Sequence, residues 1–276
     1  MIKTFQAHTD SINRIKLLPN KEAYVATCSD DHTVKIWKIS NKNLTSIQTF
    51  TDHSASVRDF EYVNEDTMVS GDSNGNINIW SISVGFTNRT FNTGLGAQVF
   101  SLKLLSNGFY LACGLNYGDI LIYNLNDDTL VNILKGHGSS VFDLEQINTD
   151  LLVSSSFDKF VFVWNLTTLT TKFRFKYHTQ QATRLKFIPP DILSSGSYDT
   201  TIKLWNITSG NEIETLVNHT GMILYSIDLF DDRTLVSGSY DQTIKLWDLN
   251  TGELKSSIES GVEIQALIVL NSIGTN

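Results

Sequence analysis

"SGSYDQTIKLWDLNTGE" spans residues 237–253, and residues 195–212 read "SGSYDTTIKLWNITSGNE". A phrase that returns at a fixed period marks a repeat architecture, so the tryptophan inside it serves as a ruler. The five tryptophans, Trp37, Trp80, Trp164, Trp205 and Trp247, lie 43, 84, 41 and 42 residues apart. Tyr123, inside "GDILIYNL", divides the long gap, so six copies run in register and end near residues 37, 80, 123, 164, 205 and 247.

Other columns keep the same period. Five of the six histidines, His8, His53, His137, His178 and His219, precede the ring residue by 27 to 29 positions; His32 is off the pattern. Ten positions before the ring stand Thr27, Ser70, Cys113, Ser154, Ser195 and Ser237, and six before it stand Asp31, Asn74, Tyr117, Asp158, Asp199 and Asp241. Within a copy the signals are short strands and tight turns. In 224–257, "LYSIDLF", "TLVSGS", "TIKLW" and "ELKSS" are β-prone runs separated by "DD", "YDQ" and "NTG". Gly252 can supply the positive φ of the last turn. Four strands per copy make a meander, and apolar residues on both faces imply that each small sheet is covered on both sides. Helical periodicity is absent, and the fold class is all-β.

These residues, from "FQAH" through "SDDHTVKIW" to "SYDQTIKLWDL", resemble the WD-repeat family of β-propellers along the whole chain. Its Gly-His…Trp-Asp signature survives in part: Gly136–His137 keeps the first pair and Trp247–Asp248 the second. The resemblance implies one domain over 1–276 with six complete four-stranded blades.

The ends imply more. "MIKTFQAH" aligns with the fourth strand of a copy, and "EIQALIVL", residues 263–270, with a first strand. An incomplete seventh blade is expected, its inner strand from 263–270 and its outer strand from 2–6. The next ring residue would fall at roughly 289 at this period, and the sequence stops at 276. The expectation is a truncated seven-bladed ring. The alternatives are an open ring filled by another chain, or a closed six-bladed ring with loose ends.

Ser237, His219 and Asp241 have the residue types of a hydrolase triad. The same set recurs as Ser195, His178 and Asp199, as Ser154, His137 and Asp158, and as Thr27, His8 and Asp31. An enzyme needs one nucleophile, not one per repeat. The resemblance implies instead a buried network running from Asp through His and Ser or Thr to Trp, which fastens each blade; in the second copy it includes His53, Ser70 and Trp80. Copies two and three, with Asn74 and Tyr117 in the aspartate column, are expected to lose part of it. The periodic histidines sit on different blades and cannot share an ion, so no catalytic residue, metal or cofactor is expected.

The charge of −8 and pI near 5.2 disfavour nucleic acid as a partner. No run of about 18 apolar residues suggests a membrane span, and no signal peptide is visible. Cys28 and Cys113 form no disulfide or zinc pattern. The expected setting is cytoplasmic or nuclear rather than secreted.

The resemblance places partner contacts on one rim, at the residue before the turn aspartate and beside the first apolar residue of the first strand. Here those positions give Arg58, Phe100, Phe142, Phe157, Tyr198, Tyr225 and Tyr240 as an aromatic arc with one cation. The expected function is a non-enzymatic scaffold binding a peptide or protein, without a small-molecule substrate. The alternatives are a substrate-receptor or G-protein-β-like subunit, and, less favoured, a propeller enzyme.

Overall fold

The computed structural model describes residues 5–19, 21–40, 43–94, 96–176, 178–223 and 226–270. Blade one comprises β1 (Ile12–Leu18), β2 (Lys21–Ser29), β3 (Val34–Ser40) and β4 (Asn43–Phe50). Blade two comprises β5 (Val57–Tyr62), β6 (Thr67–Asp72), β7 (Asn76–Ser81) and β8 (Phe86–Asn92). Blade three has β9 (Val99–Leu104), β10 (Tyr110–Leu115), β11 (Ile120–Asn124) and β12 (Thr129–Leu134). Blade four has β13 (Val141–Asn148), β14 (Leu151–Ser156), β15 (Val161–Asn165) and β16 (Thr170–Phe175). Blade five has β17 (Ala182–Ile188), β18 (Ile192–Ser197), β19 (Thr201–Asn206) and β20 (Asn211–Val217). Blade six has β21 (Ile227–Asp231), β22 (Thr234–Gly238), β23 (Thr243–Asp248) and β24 (Leu254–Glu259). Each is an antiparallel four-stranded sheet in chain order, and the six blades form a ring, a β-propeller.

Hydrophobic burial works between blades rather than within them. The cluster of Ala26, Cys28, Val34, Ile36 and Phe50 with Val57, Phe60, Met68 and Trp80 joins blades one and two. Four further clusters join each successive pair as far as blades five and six. Each fully buried Leu, Ile or Phe in these layers contributes about 1.5–3 kcal/mol. Blade spacing is set by a column of small residues on the second strand. A Cβ built at Gly71 would lie 2.5 Å from Val99, and one at Gly114 2.7 Å from Val141. Each glycine thus receives the first apolar residue of the following blade.

That column continues past blade six. A Cβ at Gly238 would lie 2.3 Å from Ile264, as one at Gly196 would lie 2.8 Å from Ile223. Ile264 N–H donates to Ser239 O at 3.1 Å, just as Ile223 N–H donates to Ser197 O at 3.1 Å. Val269 N–H donates to Asp228 Oδ2 at 3.0 Å. Residues 263–270 therefore take the inner position of a further blade against blade six. They differ from the expected strand: among them only Ala266 makes a bridge, and they belong to none of the six four-stranded sheets. Their other side faces blade one across a cleft of about 350 Å³ lined by Ser11, Ile12, Ile15 and Glu263–Ala266. Of the expected outer strand at 2–6, residues 2–4 lie outside the described residues, and Phe5 and Gln6 are exposed and not in a strand.

Candidate functional site

The turns that carry the rim are held by the periodic polar residues. In blade five, Trp205 Nε1–H donates to Ser195 Oγ at 2.8 Å, Ser195 Oγ meets His178 Nε2 at 2.8 Å, and His178 Nδ1 meets Asp199 Oδ2 at 2.9 Å. Blade one repeats this with Trp37, Thr27, His8 and Asp31, blade four with Trp164, Ser154, His137 and Asp158, and blade six with Trp247, Ser237, His219 and Asp241. Indole N–H can only donate, so the hydroxyl oxygen accepts there and its proton goes to Nε2. Nδ1–H then donates to the carboxylate. The chain of bonds is complete with neutral histidine and ionised aspartate.

The carboxylate also organises the loops on either side. Asp199 Oδ2 accepts from Thr179 N–H at 2.9 Å, and its Oδ1 from Thr201 N–H at 3.0 Å and Thr201 Oγ1 at 2.6 Å. Although burial opposes its charge, the hydrogen bonds from Thr33 and His8 hold Asp31 down at about 2. Asp241 is likewise held at about 2 against burial, by Thr243, Thr220 and His219. Burial lowers the pKa of His8 and His219, more than their aspartates raise it.

Blade two corrects the expectation drawn from Asn74. His53 Nε2 meets Ser70 Oγ at 2.7 Å, Trp80 Nε1–H donates to the same oxygen at 2.6 Å, and His53 Nδ1 meets Asp72 Oδ2 at 2.9 Å. Asp72 stands two residues before the aspartate column, where blades one, four, five and six have Ser29, Ser156, Ser197 and Ser239. One side chain thus takes over both jobs: its Oδ1 also accepts from Asn74 N–H at 2.9 Å. Blade three lacks the network. Cys113 and Leu115 are fully buried in its apolar layer, and Tyr117 is exposed.

On the rim so held, the aromatic residues touch in sequence. Arg58 lies over the Phe100 ring, its guanidinium carbon 5.6 Å from the centroid. Phe100 is 6.3 Å from Phe157, and Phe157 is 5.6 Å from Tyr198. Burial raises the pKa of Tyr198, with Tyr240 adding to the shift. Phe100, Phe157, Tyr198 and Tyr240 are half-buried. Phe142 is the exception. It is 3% exposed and stacks 4.9 Å beneath Phe157, so it supports the arc and does not present itself to a partner. Arg58 is also tied down, pairing with Asp30 at 3.2 Å. Tyr225 lies outside the described residues.

The central channel holds a charge cluster that the sequence reading overlooked. Arg14 Nε is 3.0 Å from Asp59, and Arg14 Nη2 reaches Asp143 of blade four at 2.5 Å. Lys16 pairs with Glu61 at 3.0 Å, Lys103 with Glu145 at 2.9 Å, and Lys186 with Asp228 at 2.6 Å. The last six come from one column, so the signs alternate around the ring. Burial opposes the charge on Arg14, but Asp143 and Asp59 raise its pKa beyond the ordinary arginine value. The signal was available as a fixed offset after the rim position in every copy.

A family model described as "WD domain, G-beta repeat" matches residues 1–38, 44–81, 128–165, 169–206 and 210–248. These segments make up well over half of the sequence. The chain belongs to the WD-repeat family. Most of blade three falls between the matched segments, in keeping with its missing His and Asp. This WD-repeat chain is 28% identical over 153 residues to WD repeat-containing protein 55 homolog of Dictyostelium discoideum, covering 55% of the chain and 36% of that relative. It is 30% identical over 169 residues to the transcriptional corepressor LEUNIG_HOMOLOG of Arabidopsis thaliana, covering 60% and 20% respectively. It is 38% identical over 81 residues to the human DDB1- and CUL4-associated factor 10, covering 29% and 14%. The WD-repeat chain spans about a third or less of the length of these relatives. No group of three or more His, Cys, Asp or Glu among the described residues could hold a metal ion.

Proposed function

We infer that this chain is an intracellular protein-binding scaffold whose rim receives a peptide or loop of a partner protein. Phe100, Phe157, Tyr198 and Tyr240 form the receiving surface, with Phe142 bracing it from below and Arg58 closing one end. The continuous run of ring contacts from Phe100 to Tyr198 carries this reading. Half-buried aromatic side chains held by their neighbours lose little entropy on binding and bury large areas, which is why they dominate interface energetics. The periodic Ser–His–Asp sets are spent on mutual hydrogen bonding, which favours scaffold over enzyme. The names of relatives such as a transcriptional corepressor agree with an adaptor role.

A narrower version makes the chain a substrate receptor, favoured by the 38% identity to a relative named for association with DDB1 and CUL4. Affinity capture with mass spectrometry tests both. Tyr198→Ala combined with Tyr240→Ala is expected to deplete captured partners while the melting temperature stays within a few degrees. Unchanged capture, or loss of folding, overturns the rim reading. Recovery of ligase adaptor proteins selects the narrower version.

A further inference from the structure

The cations of the channel, from Arg14 to Lys186, all have carboxylates at hand. The outer side of blade four departs from that pattern. Lys159, Lys172, Arg174 and Lys176 are exposed there, and no carboxylate of the described residues lies within ion-pair distance of any of them. Lys135, 71% exposed, reaches Asp119 at no closer than 4.0 Å. These cations converge on two rings. The Arg174 guanidinium carbon is 4.6 Å from the centroid of Phe162, its cross-strand partner, and 5.6 Å from that of Phe160. Lys176 Nζ is 5.6 Å from the same Phe160 centroid, and Lys159 immediately precedes that residue. Lys135 precedes Gly136, where a Cβ would meet the Phe162 ring at 3.1 Å. His137 stacks on Phe162 at 4.0 Å and so fixes the ring on which Arg174 rests.

The acids of this stretch are engaged elsewhere. Between residues 129 and 178 the chain has Asp143, Glu145, Asp150 and Asp158. Asp143 and Glu145 are paired in the channel, and Asp158 accepts from His137 and from Phe160 N–H. Asp150 lies in the β13–β14 turn, at the opposite end of the blade from Lys159. Guarding an outer edge against strand pairing accounts for Lys172 and Arg174, which stand on β16. It does not account for Lys135 and Lys159, which stand in connections between strands. At the left-handed turn position of Lys159 the other blades have His32, Gly75, Gly118, Thr200 and Gln242. The turn itself therefore does not demand a cation.

We propose that the Phe160 side of blade four is a second docking surface, which receives a short acidic segment of a partner protein. Asp and Glu side chains of that segment meet Lys135, Lys159, Arg174 and Lys176, while an apolar side chain lies on the half-buried Phe160 ring. Arg174, supported by Phe162 and unpaired, can offer two parallel N–H donors to one carboxylate. The charge of the chain selects this occupant over larger polyanions. At −8 the molecule as a whole repels nucleic acid or an anionic membrane. At physiological salt the field of the more distant acids decays over about 8 Å, so a short segment meets the local cations alone. The surface lies outside the aromatic arc and does not depend on it.

Fluorescence anisotropy with a labelled Glu- and Asp-rich peptide carrying interspersed Leu tests this. The intact chain is expected to bind it saturably, and more weakly as salt is raised. Lys159→Glu combined with Lys176→Glu is expected to weaken binding by about tenfold or more. The melting temperature should not change, because both side chains are exposed. Lys21→Glu combined with Lys38→Glu makes the same change in net charge beside Tyr24 of blade one. That pair is expected to leave the affinity within about twofold, since screening confines the effect of distant charges. Tyr198→Ala combined with Tyr240→Ala is expected to leave it unchanged, which separates this surface from the arc. Absence of binding, equal weakening by the two lysine pairs, or equal binding of a Gln- and Asn-substituted peptide overturns the proposal. Loss of binding in the tyrosine variant would place the peptide on the arc and overturn it as well. Tighter binding of a labelled oligonucleotide overturns the choice of occupant.

Discussion

His53 Nδ1 lies 2.9 Å from Asp72 Oδ2, although the aspartate that serves the same role in four other blades stands two residues later in the repeat. Asp72 is fully buried. Asp72→Ala is therefore expected to strand the buried imidazole N–H, at a cost of about 1–3 kcal/mol. Asn74→Ala, at the repeat's nominal position, is expected to change the melting temperature hardly at all. Thermal denaturation of the two variants decides the matter, and equal effects would refute the reassignment.

The same hydrogen-bond chain sets a pH dependence with two windows. Burial lowers the pKa of His8 and His219 below 6.5. An unfolded chain takes up those protons first, so their contribution is full above pH 6.5 and shrinks as pH falls below it. Asp31 and Asp241, lowered from 3.8 to about 2, contribute fully above pH 3.8 and lose that contribution as pH falls toward 2. Melting temperature is thus expected to decline gently below pH 6.5 and steeply below about pH 4. A flat profile from pH 7 to pH 5 in the native chain, with the same profile in His8→Gln, would contradict the first window.

Much of the fold was legible because its determinants are local and periodic. Trp205 and Ser195 are ten residues apart and bonded at 2.8 Å, and each copy repeats that spacing. What escaped the reading was either compensation or closure. Asp72 was hidden because a substitution at Asn74 looks like a loss when only the column is read. The Arg14–Asp143 pair joins residues 129 apart, neighbours across the ring and not along the chain. Phe142 shares its column with Phe100, yet it is buried because Phe157 stacks on it from the following turn. Column membership gives a residue's height in the blade; exposure depends on what the next loop lays over it.

The channel pair leads to a prediction about how blade one is held. Arg14 extends from β1 to both Asp59 and Asp143, and those side chains are 2% exposed. Arg14→Ala leaves Asp59 with only Lys16 at 3.2 Å and Asp143 with only Arg184 at 3.3 Å, and is expected to cost up to about 3–5 kcal/mol. Arg14→Met together with Asp143→Leu removes one buried pair, though it also frees the Leu185 N–H and Arg184 and leaves Asp59 with Lys16, so part of that stability is expected to return. Chemical denaturation of the single and double variants measures the difference. A double variant as unstable as Arg14→Ala would show that the charges themselves are required.

The series of small residues on the second strands yields a test of how firmly residues 263–270 are seated. At Gly71 an added Cβ would meet Val99 Cγ1 at 2.5 Å, and Val99 belongs to β9, which is paired along its length with β10. At Gly238 it would meet Ile264 Cγ2 at 2.3 Å, but Ile264 lies in a segment with a single ladder bridge. Overpacking costs about 1–3 kcal/mol where the neighbour cannot yield. Gly71→Ala is therefore expected to lower global stability by that amount. Gly238→Ala is expected to displace the inner segment instead, with a smaller change in the melting temperature. The two differ in hydrogen exchange: the Ile264 amide, bonded to Ser239 O at 3.1 Å, should lose protection in Gly238→Ala alone. Equal global losses, with Ile264 still protected, would mean that the segment is as rigidly held as a full blade.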